Sequence, residues 1–378
     1  MAVVAVIRER RHGETRVAVT PDTAKRFAGR GLSVVIEAGA GAGASIPDSE
    51  FEAAGARILS TAAEVLSQAD VLLKVRAPDA EEASALKSGA IVVGLLNPHQ
   101  ERSSLEALAA RGVSAFTMEF VPRITRAQVM DALSSQANLA GYRAVIEAAE
   151  FYGRAMPMMM TAAGAIAPAK VFVMGAGVAG LQAIATARRL GAVVTATDVR
   201  PAAKEQVESL GAKFVAVEDE EFKAAETAAG YAKPMSAEYQ AKQAALISEH
   251  IRKQDIVITT ALIPGRPAPK LVSEAQVASM KPGSVIVDLA VEQGGNVEGS
   301  RPDEVVVAGG VKVTGFSNLP GRVAADSSAL YARNLFAFAE LLLSKEGALA
   351  PDLEDEILKA SLVVHGGAII HPALLQAA

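Results

Sequence analysis

Three glycines near the middle of the chain have the spacing that a phosphate-binding turn needs. Gly175, Gly177 and Gly180 follow directly on residues 171–174, a bulky apolar run typical of a buried parallel strand. The first glycine permits a tight turn, the second lets a pyrophosphate approach the backbone, and the third lets the next helix pack closely. Because that helix N-terminus presents N–H groups and a positive dipole end, we predict a dinucleotide site here.

An acidic residue stands where it can select the nucleotide. A second predicted strand, over residues 192–197, ends at Asp198, about 20 residues beyond the last glycine. A carboxylate there can accept hydrogen bonds from both hydroxyls of the adenosine ribose, and it repels a 2′-phosphate. Asp198 therefore predicts NAD(H) as the cofactor rather than NADP(H), although Arg200 is a cation that could hold a 2′-phosphate.

A second polar group precedes a long predicted helix. Arg123 could bind a carboxamide oxygen or a phosphate, Gln128 could bind a ribose, and Asp131 could hold Arg123 in place. Ser134 belongs to the same group. The alternative interpretation is a helix N-terminus rich in capping residues with a surface ion pair. The residues alone leave both interpretations open.

Composition argues against several kinds of site. The net charge is −5, which argues against a nucleic-acid partner. The sequence has no cysteine, so it can form neither disulfides nor cysteine-ligated metal sites, and we predict no metal site of another kind. The longest weakly polar stretch, residues 155–169, is interrupted by Pro157, Gly164 and Pro168, so we expect no direct membrane span.

Strands alternate with helices along the chain, which predicts an α/β fold. We expect two Rossmann-like domains with mostly parallel, doubly wound sheets, joined by long helices around a cleft. Residues 1–134 and 315–378 are assigned to a discontinuous first domain, and residues 135–314 to the NAD(H)-binding domain. The second domain includes a bridging helix over 135–155 and a predicted mobile loop over 218–234.

Three further expectations concern packing. The methionines 158–160 are interpreted as core residues beneath the hinge between the domains. The arginines at positions 8, 10, 11 and 16 are interpreted as a solvated group. Residues 214–217 are predicted to form a strand, and the loop containing Pro264 and Gly265 follows a strand end and is placed near the cofactor.

Six longer segments resemble one known family. They are GETRVAVTP from Gly13, PRITRAQVMDALSSQANLAGYRAV from Pro122, PMMMTAAG from Pro157, GAGVAGLQAIATARRLGAVVTATDVR from Gly175, TTALIPGRPAP from Thr259 and DLAVEQGGN from Asp288. Together they resemble the NAD(H)-binding domain, domain I, of proton-translocating nicotinamide nucleotide transhydrogenase. The resemblance covers essentially the whole chain.

This resemblance implies an enzyme that works only with partners. It implies direct hydride transfer between NADH on this chain and NADP+ held by an NADP(H)-binding domain, coupled to proton translocation in the complex. The implied partners are that domain and the membrane-spanning transhydrogenase subunits. It further implies a homodimer on the cytoplasmic face of the inner membrane, attached through its partners.

The resemblance also implies site residues. Arg123, Gln128, Asp131 and Ser134 match a loop that lies against the nicotinamide, and Tyr231 matches the tyrosine of a mobile loop. The positions expected around the nucleotide, from the glycine spacing, the strand ends and the resemblance together, are Gly175, Gly177, Val178, Ala179, Gly180, Asp198, Val199, Arg200, Gly230, Gln243, Leu262, Pro264 and Gly265.

Two other functions stay open. The chain also resembles alanine dehydrogenase, with which it shares R-V-A-x-T-P and a lysine, here Lys74. Amino-acid oxidation needs a general base, typically a histidine. Leu96 stands where that histidine would be, and His99 lies further along the chain. The second alternative is a non-catalytic module that senses NAD(H).

Overall fold

The computed structural model describes residues 1–223, 235–263, 265–344 and 347–375. Contacts between residues divide the chain into two compact units. Unit 1 comprises Met1–Gln136 and Pro320–Ala378, and unit 2 comprises Ala137–Leu319. The sequence predicts the two boundaries at 134/135 and 314/315.

The N-terminal segment of unit 1 alternates strands with helices, because short apolar runs alternate with amphipathic segments. In chain order its elements are β1 (Val3–Val6), α1 (Pro21–Gly29), β2 (Ser33–Glu37), α2 (Asp48–Ala53), β3 (Arg57–Leu59), α3 (Ala62–Gln68), β4 (Val71–Arg76), α4 (Ala80–Ala85), β5 (Ile91–Leu95), α5 (Arg102–Ala110) and β6 (Ser114–Thr117). Helix α6 (Ala132–Tyr152) then begins in unit 1 and ends in unit 2.

Unit 2 repeats the alternation, and the chain then returns to unit 1. The elements of unit 2 are β7 (Met159–Thr161), β8 (Gly164–Ile166), β9 (Lys170–Met174), α7 (Val178–Arg189), β10 (Val193–Thr197), α8 (Ala203–Ser209), β11 (Lys213–Phe214), α9 (Glu220–Lys223), α10 (Ala237–Ile251), β12 (Ile256–Thr259), α11 (Glu274–Ala278), β13 (Val285–Asp288), β14 (Val305–Ala308) and β15 (Val311–Thr314). Unit 1 is completed by α12 (Ala324–Ala339), α13 (Glu356–Ser361), β16 (Leu362–His365), β17 (Ala368–Ile369) and α14 (Pro372–Leu375).

Each unit is built around a mostly parallel sheet. The order in unit 1 is β17-β16-β6-β5-β4-β1-β2-β3, in which β16 pairs antiparallel with both β6 and β17. The order in unit 2 is β11-β10-β9-β12-β13-β15-β14, in which β14 runs antiparallel to β15. The central strands of both sheets are buried on both faces, as apolar strands covered by helices on either side should be.

Two structural expectations from the sequence are wrong. Met158, Met159 and Met160 are exposed rather than buried, and Met160 keeps 80% of its surface. They lie at the start of an antiparallel hairpin formed by β7 and β8, every residue of which is exposed. The strand predicted over residues 214–217 is also shorter, because only Lys213 and Phe214 pair with β10.

A third expectation fails at Arg16, which the sequence places in a solvated group. Its side chain is buried in unit 1 and pairs with the buried carboxylate of Glu14. Arg8, Arg10 and Arg11 do keep exposed side chains. Charge along the sequence cannot separate these cases, because only the folded chain buries the pair of Arg16 with a carboxylate.

Helix α6 packs backbone against backbone on helix α7 at one glycine. A Cβ built on Gly141 would overlap the carbonyl oxygen of Ala179 and lie 2.8 Å from its carbonyl carbon. Neither atom can move without shifting the first turn of α7. Gly141 is therefore required by the close approach of the two helices.

We predict that Gly141→Ala destabilises the protein by about 2 kcal/mol or more, because overpacking a fixed backbone contact costs roughly 1 to 3 kcal/mol. Gly29→Ala is the matched control, since nothing lies within 4 Å of a Cβ at that helical position. The control should be neutral or slightly stabilising. Urea unfolding followed by circular dichroism measures both variants, and equal effects would contradict the packing argument.

Candidate functional site

The turn after β9 has the geometry that a bound pyrophosphate requires. Gly175 has a φ of 106°, a conformation that other residues rarely adopt. Gly177 is the N-cap of the 12-residue helix α7, and a Cβ there would meet open space. A Cβ on Gly180 would overlap the Gly175 carbonyl oxygen. The turn thus leaves an open approach to the helix N-terminus, where an anion is favoured.

The turn lies at the switch point of the unit 2 sheet. Strands β9 and β12 are neighbours, and the chain proceeds outward from them in opposite directions. Ligands of open α/β sheets bind beyond the carboxyl ends of strands at such a point. Thr260, which follows β12, donates its hydroxyl to the Gly175 carbonyl oxygen at 3.1 Å and so ties the two strand ends together.

Asp198 lies at the end of β10 with its side chain only 7% exposed. One carboxylate oxygen accepts the backbone N–H of Ala176 at 2.7 Å, which links the acid to the glycine turn. Arg200 donates its backbone N–H and its Nε to the other oxygen, both at 2.9 Å. Its Nη2 reaches the first oxygen at 3.0 Å.

The other predicted positions in unit 2 fall around the same strand ends. Val178, Val199 and Leu262 are exposed apolar residues, and Gly265 has a φ of 71°. Gln243 accepts the Val217 N–H at 2.9 Å and donates to the Thr197 hydroxyl at 3.2 Å. Ala179 lies in the first turn of α7. Gly230, Tyr231, Pro264 and the greater part of the predicted mobile loop lie outside the described residues.

Sequence reasoning missed the residues that hold the segment after β12. Asp288 is fully buried and accepts the backbone N–H groups of Ala290, Asn296 and Val297 at 2.9 to 3.1 Å. Asn296 then accepts the Ala261 N–H at 3.0 Å and donates to the Ala261 carbonyl at 2.8 Å. The motif DLAVEQGGN is the sequence signal for this segment, but its pattern alone indicates no role for either residue.

The predicted polar loop of unit 1 carries Gln128 in a 3-10 helix (Thr125–Met130). Arg123 and Gln128 are exposed. Asp131 accepts the Ser134 N–H at 2.8 Å and its hydroxyl at 2.5 Å, so it caps helix α6. The sequence predicts that Asp131 holds Arg123, and the described contacts show it bonded to Ser134 instead.

Buried polar groups beneath this loop were also missed. Asn334 of α12 donates to the Val129 carbonyl at 2.8 Å and accepts the Ser135 hydroxyl at 2.7 Å. Arg16 donates to the buried side chain of Gln136 at 2.7 Å. These contacts fix both ends of the segment that carries Gln128. No periodicity in the sequence could have indicated them, because the partners are far apart along the chain.

Glu14 is the charged centre of this support. Its carboxylate accepts Arg16 Nε at 2.7 Å and Nη2 at 2.6 Å, and Arg76 Nε at 3.0 Å. Burial by itself raises the pKa of Glu14, but the hydrogen bonds and charge of Arg16 and the charge of Arg76 outweigh it and lower the pKa to about 2. Glu14 therefore stays ionised in the folded protein down to strongly acidic pH.

The described part of the chain offers neither a metal cluster nor a membrane helix. Across residues 1–223, 235–263, 265–344 and 347–375, no group of three His, Asp or Glu side chains could hold a metal ion. Within the same residues, no helix combines the length and apolar character that crossing a bilayer requires.

Both halves of the sequence match domains of one family. Residues 5–140 match the description "Alanine dehydrogenase/PNT, N-terminal domain", and residues 144–372 match "Alanine dehydrogenase/PNT, C-terminal domain". The chain belongs to the alanine dehydrogenase/PNT family. The second match includes the glycine turn and Asp198, and also the C-terminal segment that returns to unit 1.

Individual members of the alanine dehydrogenase/PNT family match over nearly the whole chain. An NAD(P) transhydrogenase alpha subunit of Rhodospirillum rubrum is 55% identical, with 98% of each chain covered. An alanine dehydrogenase of Halomonas elongata is 32% identical over 99% of this chain and 96% of its own. The crystal structure of transhydrogenase from Sinorhizobium meliloti has 57% identity and a TM-score of 0.89, covering 97% of this chain and 100% of that chain. The predicted α/β fold of two domains with mostly parallel sheets is confirmed.

We predict that Glu14→Gln destabilises the protein at pH 7 by about 3 kcal/mol, since it leaves buried arginines short of a carboxylate. The pKa of Glu14 is lower in the folded chain, so its stabilising contribution is complete above the ordinary value of 4.5 and is lost as pH falls toward about 2. The deficit of the variant should therefore shrink by roughly 2 kcal/mol between pH 7 and pH 3.

Urea unfolding at the two pH values measures this change. Glu106→Gln is the control, because Glu106 forms an exposed i,i+4 pair with Arg102 and should show almost no pH-dependent difference. A deficit of the Glu14 variant that is the same at pH 7 and pH 3 would contradict the lowered pKa.

Proposed function

We propose that this chain is the NAD(H)-binding subunit of a proton-translocating transhydrogenase and presents the dihydronicotinamide of NADH to NADP+ on a partner. The observation that carries the proposal is the glycine turn with Asp198 at the switch point of the unit 2 sheet. The identity of 55% with the transhydrogenase subunit of R. rubrum supports the choice of reaction. In this proposal NADP(H) is bound by the partner and not by this chain.

Direct hydride transfer makes modest chemical demands on the protein. It needs no general acid or base, only two C4 atoms held at about 3 to 3.5 Å with water excluded. We assign the orientation of the nicotinamide to the loop with Arg123, Gln128, Asp131 and Ser134. Val129 and Leu133 beside Gln128 are exposed apolar residues, with Val129 keeping 64% of its surface. Such residues support contact with a partner that excludes water from the loop.

Amino-acid oxidation is the second candidate, supported by the alanine dehydrogenase relative and by Lys74. Lys74 is buried and pairs with Glu82 at 2.9 Å and with Glu9 at 3.5 Å. The position at which a catalytic histidine is expected holds Leu96, whose side chain is fully buried and cannot move a proton. His99 is exposed. These features favour hydride transfer between nucleotides over a reaction that needs a base.

Partner subunits would supply what this chain lacks in our proposal. Proton translocation is assigned to membrane-spanning subunits, with this chain attached to them at the cytoplasmic face of the inner membrane. A homodimer is supported by the exposed hairpin of β7 and β8, where Met158, Met159, Met160 and Ile166 face outward. An exposed apolar group of this kind is typical of a surface that contacts another protein.

We predict that Gln128→Asn separates hydride transfer from nucleotide binding. The substitution shortens the side chain by one methylene and leaves the net charge unchanged. Hydride transfer reconstituted with an NADP(H)-binding partner should fall roughly tenfold or more, about 1.4 kcal/mol of transition-state stabilisation. NADH affinity, measured by calorimetry, should change by less than about tenfold, because the glycine turn and Asp198 provide most contacts.

Gln100→Asn in unit 1 is the matched control and should leave both quantities unchanged, since Gln100 is exposed and its side chain bonds locally, to Asn97. Equal losses of affinity and transfer in Gln128→Asn would make Gln128 an ordinary binding residue. Sustained reduction of NAD+ with alanine by the isolated chain would contradict the proposed reaction. Binding of NADH without transfer to any NADP(H)-binding partner would favour the sensing function.

We predict that Met160→Asp converts a dimer to a monomer. A charge at this exposed hairpin position would be buried without a partner in an apolar interface, and that is costly. Sedimentation at micromolar concentration should show the chain mass for Met160→Asp and twice that mass for the unmodified chain. Met160→Leu keeps the apolar surface and should remain dimeric. An unchanged mass for Met160→Asp would exclude the hairpin from the dimer interface.

A further inference from the structure

The carboxylate of Asp198 already holds as many donors as it can accept. Oδ1 receives the N–H and the Nε of Arg200, and Oδ2 receives the N–H of Ala176 and the Nη2 of Arg200, at 2.7 to 3.0 Å. A carboxylate oxygen offers about two acceptor directions, so each oxygen is saturated. The hydroxyls of an adenosine ribose therefore have no free acceptor on Asp198 in this arrangement.

The four donors differ in how easily they can leave. The N–H groups of Ala176 and Arg200 belong to the backbone at the glycine turn and at the end of β10, and they are fixed by the fold. The guanidinium is carried on a flexible side chain that is 35% exposed, and it contributes one donor to each oxygen. Its departure would free one acceptor direction on Oδ1 and one on Oδ2. Two acceptors side by side are what the two ribose hydroxyls require.

We infer that the Arg200 guanidinium occupies the ribose position of Asp198 in the free protein and is exchanged, donor for donor, when the nucleotide binds. This inference rests on the nucleotide binding of the proposed function and adds a role in specificity. Breaking the ion pair lowers the affinity for an unphosphorylated ribose. The released guanidinium, two residues beyond Asp198, stays within reach of a 2′-phosphate and reduces the repulsion that this phosphate meets at the carboxylate.

Arg200 therefore narrows the discrimination that Asp198 creates. Without the guanidinium, the carboxylate would be open to the ribose hydroxyls and would repel a 2′-phosphate without compensation. A partly exposed ion pair contributes modestly, so the expected changes are a few fold rather than orders of magnitude. The effect should concern the adenosine end of the nucleotide only.

The test uses ADP-ribose and 2′-phospho-ADP-ribose as probes of that end, titrated by calorimetry into the full chain. Arg200→Ala should bind ADP-ribose about threefold more tightly and the 2′-phosphate about threefold more weakly than the unmodified chain, so the preference rises about tenfold. Arg200→Lys keeps a charge but cannot span both oxygens, and should give intermediate values for both probes. Arg189→Ala, an exposed change of equal charge on α7, should leave the preference unchanged.

Weaker binding of ADP-ribose by Arg200→Ala would overturn the inference and make the guanidinium a brace for Asp198 or a direct ligand contact. Unchanged affinity for both probes would overturn it as well. Should the unmodified chain bind neither probe, the proposed NAD(H) binding itself would fail, and the inference with it. Should Arg200→Ala unfold below the assay temperature in a thermal melt, the decision passes to Arg200→Lys, for which weaker ADP-ribose binding overturns the exchange.

Discussion

The close approach of the backbone at the first turn of α7 sets the geometry on which the nucleotide site depends. Gly180 lies against the Gly175 carbonyl, and Gly141 of α6 lies against Ala179, with no room for a Cβ at either position. These contacts fix where the helix N-terminus stands relative to the end of β9. A phosphate held at that terminus would inherit the same position, because the donors are backbone groups.

Buried charge does for unit 1 what close backbone packing does for unit 2. Glu14 and Arg16 form an ion pair inside the unit, and Arg16 donates in addition to Gln136 at the start of α6. Asn334 holds the Val129 carbonyl from the other side. A buried pair of this kind contributes little net stability over an apolar pair, but it is costly to break. Its effect here is to hold an exposed loop in one conformation.

Local patterns predicted much of the fold, and tertiary contacts account for what was missed. The strand Ser33–Glu37 and the helix Ala62–Gln68 follow from apolar runs and capping residues, which act over a few residues. Strand β3 (Arg57–Leu59) was missed because three residues at a sheet edge leave no pattern. The methionines 158–160 were placed in the core because their composition is apolar, and composition does not record what covers a side chain.

The candidate site divides in the same way. The glycine spacing and Asp198 are contiguous motifs, whereas the role of Asp288 and Asn296 depends on hydrogen bonds to backbone groups that only the fold brings near. The pairing of Asp198 with Arg200 was also missed, although the two are neighbours in sequence. The sequence shows that both charges are present, but not that the guanidinium lies on the carboxylate.

The central claim is direct hydride transfer, and isotope tracing tests it directly. NADH carrying deuterium at the transferred C4 position is mixed with NADP+, this chain and an NADP(H)-binding partner in ordinary water, and the products are examined by mass spectrometry. Our account predicts that essentially all of the deuterium is recovered in NADPH, because no exchangeable acid or base takes part. Recovery of the deuterium in the solvent would contradict the account.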